Sequence, residues 1–174
     1  MKDNEAKGMH CKDCTGTCCT FANNTMHITP LEAWDIVEDL IKKNIDLKEI
    51  QKELQQNIEQ YNLDRPAMIS PSGKEYRRSY TCPFFNRYGW GCGIAVQQKP
   101  YGCIAFNPTE KEVKDGGDCK HLKTPEISLH KDQSLEQINQ NIKSGLELDW
   151  IKESIPVATL QVIQALQKLN SKVE

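Results

Sequence analysis

The placement of the cysteines constrains this chain more than any other feature. Four of its eight lie in "HCKDCTGTCCTF", residues 10–21, as Cys11, Cys14, Cys18 and Cys19. The other four, Cys82, Cys92, Cys103 and Cys119, are spread over residues 82–119, after a long stretch with none. A chain of 174 residues can bury an ordinary hydrophobic core and needs no disulfides to fold. The N-terminal "MKDNEAKGMH" is charged and lacks the apolar segment of a signal peptide, and no run approaches the ~20 apolar residues of a membrane span. The expected compartment is therefore the cytoplasm. In a reducing compartment clustered thiols serve as metal ligands or redox groups more often than as disulfide partners.

Charge narrows the choice of partners. Lysine and arginine number 22 against 24 acidic residues, giving a formal net charge of -2. No long-range field draws in a polyanion, so neither nucleic acid nor a membrane surface is expected. The Arg77–Arg78 pair reads as a solvated surface.

The thiol spacing points to a soft metal. Cys11 and Cys14 form a Cys-x-x-Cys pair, whose tight turn lets two side chains converge on one centre. Cys18 and Cys19 follow through "TGT", with a flexible glycine. Adjacent side chains usually diverge, so these two are expected to take different roles. In the second group, "TCPFF", "GWGCGI", "KPYGCIAF" and "GGDCKH" set each cysteine in or near proline, glycine or aromatics. Phe84, Phe85, Trp90, Tyr101 and Phe106 could exclude water there, or simply pack as core.

Eight thiols match two centres of four thiolates each, either iron-sulfur or zinc. The second group has no Cys-x-x-Cys knuckle, which favours an iron-sulfur cluster, 4Fe–4S first, with zinc as the alternative. His10 and His121 flank the thiols and are placed outside the ligand set, which the cysteines already fill; His27, at a helix entrance, is read as structural. Walker-type, dinucleotide-binding and Gly-x-Ser-x-Gly signatures are all missing from the sequence. "HKD" at His130 and the Glu110/Glu112 pair, alternating with Lys111 and Lys114, read as solvated segments.

Between the cysteine groups lie two amphipathic helices. Thr29, Pro30 and Glu32 signal a capped start before Leu31, Trp34, Val37, Leu40 and Ile41; Asp46 and Glu49 repeat the signal before Leu47, Ile50, Leu54, Ile58 and Tyr61. Residues 64–103 should be irregular, with "SPSG" as a turn and "KEYRRSYTCPFF" as a possible strand. In the tail, Ser134 and Gln137 are expected to cap a segment with Leu135, Ile138 and Ile142, and Leu160, Ile163, Leu166 and Leu169 form a last stripe beyond Pro156. The expected fold is mainly α: a single domain over 1–174, with a loop-rich, metal-organised cysteine knot and at most a small β-hairpin. The metal-binding region would span 8–121, with a helical insertion at 30–62, and a C-terminal helical extension would cover 122–174.

Taken together, "CKDCTGTCC", "CPFF", "GCGI" and "KPYGCIAF" resemble the CxxCxxCC family of zinc- or iron-chelating proteins, also called YkgJ-type cysteine-cluster proteins, over roughly residues 11–121. The resemblance implies Cys11, Cys14, Cys18, Cys19, Cys82, Cys92 and Cys103 as ligands, and the thiol count adds Cys119. The chain departs from the family pattern by one extra residue between Cys14 and Cys18 and one between Cys92 and Cys103, by Ala95 in place of tyrosine and by Lys99 in place of arginine. That family is in turn similar to flagellin lysine methylases, which implies an alternative role as a metal-dependent enzyme of protein modification. The expected function is an intracellular metal-binding protein with a redox, electron-transfer or structural role and a protein or redox partner. A structural zinc module mediating protein interaction is the other alternative.

Overall fold

The computed structural model describes residues 16–86, 91–108, 119–121 and 133–171. His10, Cys11, Cys14, Trp90, the 110–114 segment and His130 lie outside these residues.

The chain is mainly helical. Helix α1 (Pro30–Lys42) starts where Thr29, in an extended conformation, accepts a hydrogen bond from the Glu32 N–H, while the Thr29 N–H donates to Glu32 Oε2 at 2.7 Å. Its buried face is Ala33, Ile36, Val37 and Leu40. The expected stripe is rotated by comparison: Ile41 is 49% exposed and Trp34 only partly buried, while Ala33 and Ile36 take the inner face beside Val37 and Leu40. Helix α2 (Leu47–Tyr61) is capped by Asp46, which accepts from the Lys48 N–H, and ends at Asn62 in the left-handed conformation (φ 53°). Leu54 and Ile58 are buried, and Leu47, Ile50 and Tyr61 pack around them as the periodicity predicts.

A short helix α3 (Tyr101–Ala105) carries Cys103, and α4 (Gln133–Gly145) follows it in the chain. Ser134 sits inside the first turn of α4 and not at its cap, since the helix already begins at Gln133. Helix α5 (Ile155–Asn170) takes Pro156 in its first turn, where the missing N–H has no intrahelical partner to lose. It packs against both α1 and α2, and α4 lies on α1. Ile155, Ala158, Val162 and Ile163 are almost completely buried in that contact. Among the described residues no helix is long and apolar enough to cross a membrane.

Three small antiparallel ladders accompany the helices. Strands β2 (Met68–Ile69) and β3 (Glu75–Tyr76) form the hairpin around "SPSG", whose Gly73 has φ 79°. Strand β1 (His27–Ile28) pairs with β6 (Glu153–Ser154), so the approach to α1 is tied to the approach to α5. Strand β4 (Phe106–Pro108) pairs with β5 (Cys119–His121). Local periodicity carries no information about the β1–β6 pairing, because its partners are far apart in sequence. Fully buried Tyr80 reinforces that junction: its hydroxyl donates to the Met26 carbonyl and accepts from the Ile155 N–H, and its own N–H donates to Asn24 O.

Candidate metal centre

The first cysteine arm enters through Gly16, held at φ 69°, a conformation that glycine adopts without steric cost. The Phe85 ring lies so close that a Cβ on residue 16 would collide with it. Beyond it, Thr17–Cys19 forms a 3-10 turn: the Cys19 N–H donates to Gly16 O at 2.6 Å and Thr20 Oγ1 donates to Thr17 O at 2.8 Å. This tight turn overrides the expected divergence of neighbouring side chains. Cys18 Sγ and Cys19 Sγ lie 4.0 Å apart in a weak S–H···S hydrogen bond.

The second group meets the first through the backbone. The Cys82 N–H donates to Cys19 O at 2.7 Å, joining residues from the two ends of the helical insertion. A compact loop then carries Cys82 and Cys92 on facing arms: Phe85 N–H donates to Cys82 O, Gly93 N–H to Phe84 O and Asn86 N–H to Gly91 O, and Phe85 bridges to Cys92. Gly91, at φ 89°, holds a conformation that glycine adopts without steric cost.

Two buried carboxylates on α1 hold these loops in place. Asp39 Oδ2 accepts from Lys43 Nζ at 2.6 Å and from the Ala95 N–H at 3.2 Å, while Lys43 Nζ also donates to Gly93 O. Glu32, besides capping its own helix, accepts through Oε1 from the Tyr101 N–H at 2.8 Å and so fixes the start of α3, two residues before Cys103. Glu32 and Asp39 are seven residues apart, two helical turns, and therefore stand on one face. Cap and amphipathicity arguments give Glu32 only its cap and Asp39 nothing; acids at a two-turn spacing on the buried face were the signal that could have revealed both. Gly102 closes the other side, since a Cβ there would strike the Met26 side chain.

The five described thiols, Cys18, Cys19, Cys82, Cys92 and Cys103, sense one another electrostatically. Burial pushes the Cys82 thiol up to about 12, Cys92 and Cys18 add to the rise, and the Phe84 N–H and Lys99 oppose it. Cys103 lies well above the usual thiol range for the same first reason, with Cys82, Cys92 and Cys18 adding and Lys99 again opposing. In the adjacent pair, the hydrogen bond from Cys19 brings Cys18 down to about 7 against the effect of burial, with some help from Lys99. The same bond, then burial and the neighbouring Cys18, Cys82 and Cys103, raise Cys19. Lys99, between Cys92 and Cys103 in the chain, is the cation that favours ionisation of Cys18, Cys82 and Cys103.

Of the eight cysteines named from sequence, the side chains of five are described, Cys82 buried and Cys18, Cys19, Cys92 and Cys103 partly so, and each influences the ionisation of at least one of the others. Cys11 and Cys14 lie outside the described residues. The backbone of Cys119 pairs with Pro108 in the β4–β5 ladder, directly after the helix that bears Cys103. His27 lies in β1, where its backbone pairs with Ser154. Phe85 is buried against the core, and Phe84 is partly buried beside it.

Comparison with family models, curated proteins and solved structures finds no match to this chain. Among the described residues, no three His, Cys, Asp or Glu side chains close into an arrangement that could hold an ion. In chemical kind the donors fit a thiophilic centre: they are all thiols, drawn from four backbone arms and partly or fully screened from water. The 4.0 Å separation of Cys18 and Cys19 sulfurs is close to the ~3.8 Å edge of a tetrahedron with 2.3 Å metal–sulfur bonds.

Proposed function

We propose that this chain is a metal-binding protein whose clustered thiolates hold an iron-sulfur centre serving a redox, electron-transfer or structural role. One observation supports the reading: the five described thiols lie within electrostatic reach of their neighbours in the set, and the Cys82–Cys19 backbone bond ties their two sequence groups together. Burial and neighbouring thiols disfavour ionisation of Cys82 and Cys103, and a bound cation would offset that cost. Cys18, Cys19, Cys82, Cys92 and Cys103 would hold the centre, with Cys11, Cys14 and Cys119 completing the sets.

When bound, such a centre supplies electron transfer or a structural cross-link. The chain's own groups orient it. Glu32 and Asp39 fix the arms that carry Cys103 and Cys92, Phe85 closes over Gly16, and Lys99 offsets part of the thiolate charge. Zinc is the second reading, favoured by the near-tetrahedral spacing of the Cys18 and Cys19 sulfurs. The resemblance to the CxxCxxCC family supports both metals, and a protein partner would exchange electrons with the centre or dock on it.

Metal analysis and a visible spectrum on protein purified without oxygen decide the matter. Iron with acid-labile sulfide and broad visible absorption is the expected result. Colourless protein with stoichiometric zinc replaces the cluster with a zinc knot, and protein without bound metal overturns both readings.

A further inference from the structure

Cys18 and Cys19 differ from the other described thiols in one respect. Cys82, Cys92 and Cys103 stand on separate arms, whereas these two are contiguous, so their sulfurs can meet without any loop moving. They are already 4.0 Å apart, and both are only partly buried, which leaves them within reach of a small solute. A disulfide needs about 2.05 Å between sulfurs. The remaining distance is within the reach of side-chain rotation and a local adjustment of the 3-10 turn.

We propose that Cys18 and Cys19 form a reversible redox-modification site, closed into a vicinal disulfide by a low-molecular-weight disulfide of the glutathione type. In the first step one thiolate attacks a sulfur of the oxidant, a mixed disulfide forms, and one molecule of the small thiol leaves. In the second, the neighbouring cysteine gives up its proton and attacks the protein sulfur of that mixed disulfide, and the second small thiol leaves. The protein loses two electrons and two protons, and one small disulfide becomes two thiols.

The geometry also makes the bond easy to reverse. Adjacent Cα atoms are about 3.8 Å apart across a trans peptide, short of the roughly 4.4–6.8 Å usual for disulfides. The resulting ring is strained and opens readily to excess thiol. Closing it pulls on a segment whose backbone is committed on both sides: Cys19 donates its N–H to Gly16 O and its carbonyl accepts from the Cys82 N–H. Oxidation therefore withdraws two thiolates at once and loosens the tie between the cysteine arms. That last consequence rests on the metal-binding reading; formation of the disulfide does not.

The test uses the full chain in two forms, as purified and after chelation. Each is equilibrated over a range of reduced to oxidised glutathione, quenched by alkylation and mapped by mass spectrometry, with metal release followed in parallel. The expected product is lighter by about 2 Da before alkylation, with two alkylations lost. Backbone fragmentation between residues 18 and 19 should be suppressed, and a return to excess reduced glutathione should restore both thiols. Cys18→Ser and Cys19→Ser should each abolish the product, while Cys14→Ser in chelated protein leaves it. Failure to form under excess oxidant, or a bridge from Cys18 or Cys19 to Cys14, Cys82, Cys92 or Cys103, overturns the proposal. Full retention of metal by protein that carries the vicinal bond removes Cys18 and Cys19 from the ligand set and leaves the modification site standing. Protein that holds no metal but forms the bond defeats the metal reading and leaves the modification site standing.

Discussion

The helical body and the thiol loops share one chain but are held by different forces. Where α5 meets α1 and α2, side chains such as Leu54, Ile155, Ala158 and Ile163 are at most 1% exposed, and stability comes from apolar area removed from water. Around the thiols the backbone is irregular and rests on a few specific bonds: Cys82 to Cys19, Ala95 to Asp39 and Tyr101 to Glu32. The difference teaches where each kind of damage will appear. Truncating the body lowers global stability, whereas changing a loop group alters local order and whatever the thiols bind.

The sharpest way to break this comparison is to remove apolar volume from the body. Leu54→Ala, at a fully buried site, should cost about 2–5 kcal/mol in chemical denaturation, while metal bound per folded molecule stays constant. A drop in metal stoichiometry in the folded fraction would show that the two regions are not separable.

Alkali probes the thiol side. The Cys82 pKa rises from 9.0 to about 12, so the folded state holds a proton that the unfolded state has lost. The stability contributed by this neutral thiol is complete below pH 9 and is lost as pH rises towards 12. In reduced, chelated protein the loss should be on the order of 2–4 kcal/mol. Cys82→Ala should flatten that part of the pH profile in equilibrium unfolding measured from pH 8.5 upwards. An identical slope in the variant would show that Cys82 is not the group responsible.

Gly16→Ala tests the link between the arms. The residue combines φ 69° with a collision against Phe85, and the cost should be about 1–3 kcal/mol. Amide exchange should show the loss concentrated at Cys19 and Cys82, with the α1, α2 and α5 amides unchanged. Uniform acceleration across the helices would merge the two regions into one cooperative unit.

The helical body was legible in the sequence because its signals are local. Thr29, Pro30 and Glu32 fix the start of α1, and the spacing of Leu54 and Ile58 fixes the inner face of α2. The rotated face of α1, which leaves Ile41 exposed, was not legible, since the centre of a stripe depends on the helix that covers it. In the thiol region, the sequence marked out the two cysteine groups, and the Cys82–Cys19 backbone bond that joins them had no local signal. The scaffold did not announce itself. Asp39 looks like any surface acid until the Ala95 N–H is placed beside it, and Tyr80 reads as a strand residue until Met26 and Ile155 close on its hydroxyl.

The bond from the Cys82 N–H to the Cys19 carbonyl also sets an order of events in biosynthesis. At typical translation rates Cys19 leaves the ribosome on the order of ten seconds before Cys103. During that interval α1 and α2 emerge first and the arms carrying Cys82 and Cys92 follow, so the first thiols can be shielded only late in it. The early cysteines therefore pass through a period in which their neighbours are one another and the solvent, and α4 and α5 are still to be made when Cys103 emerges.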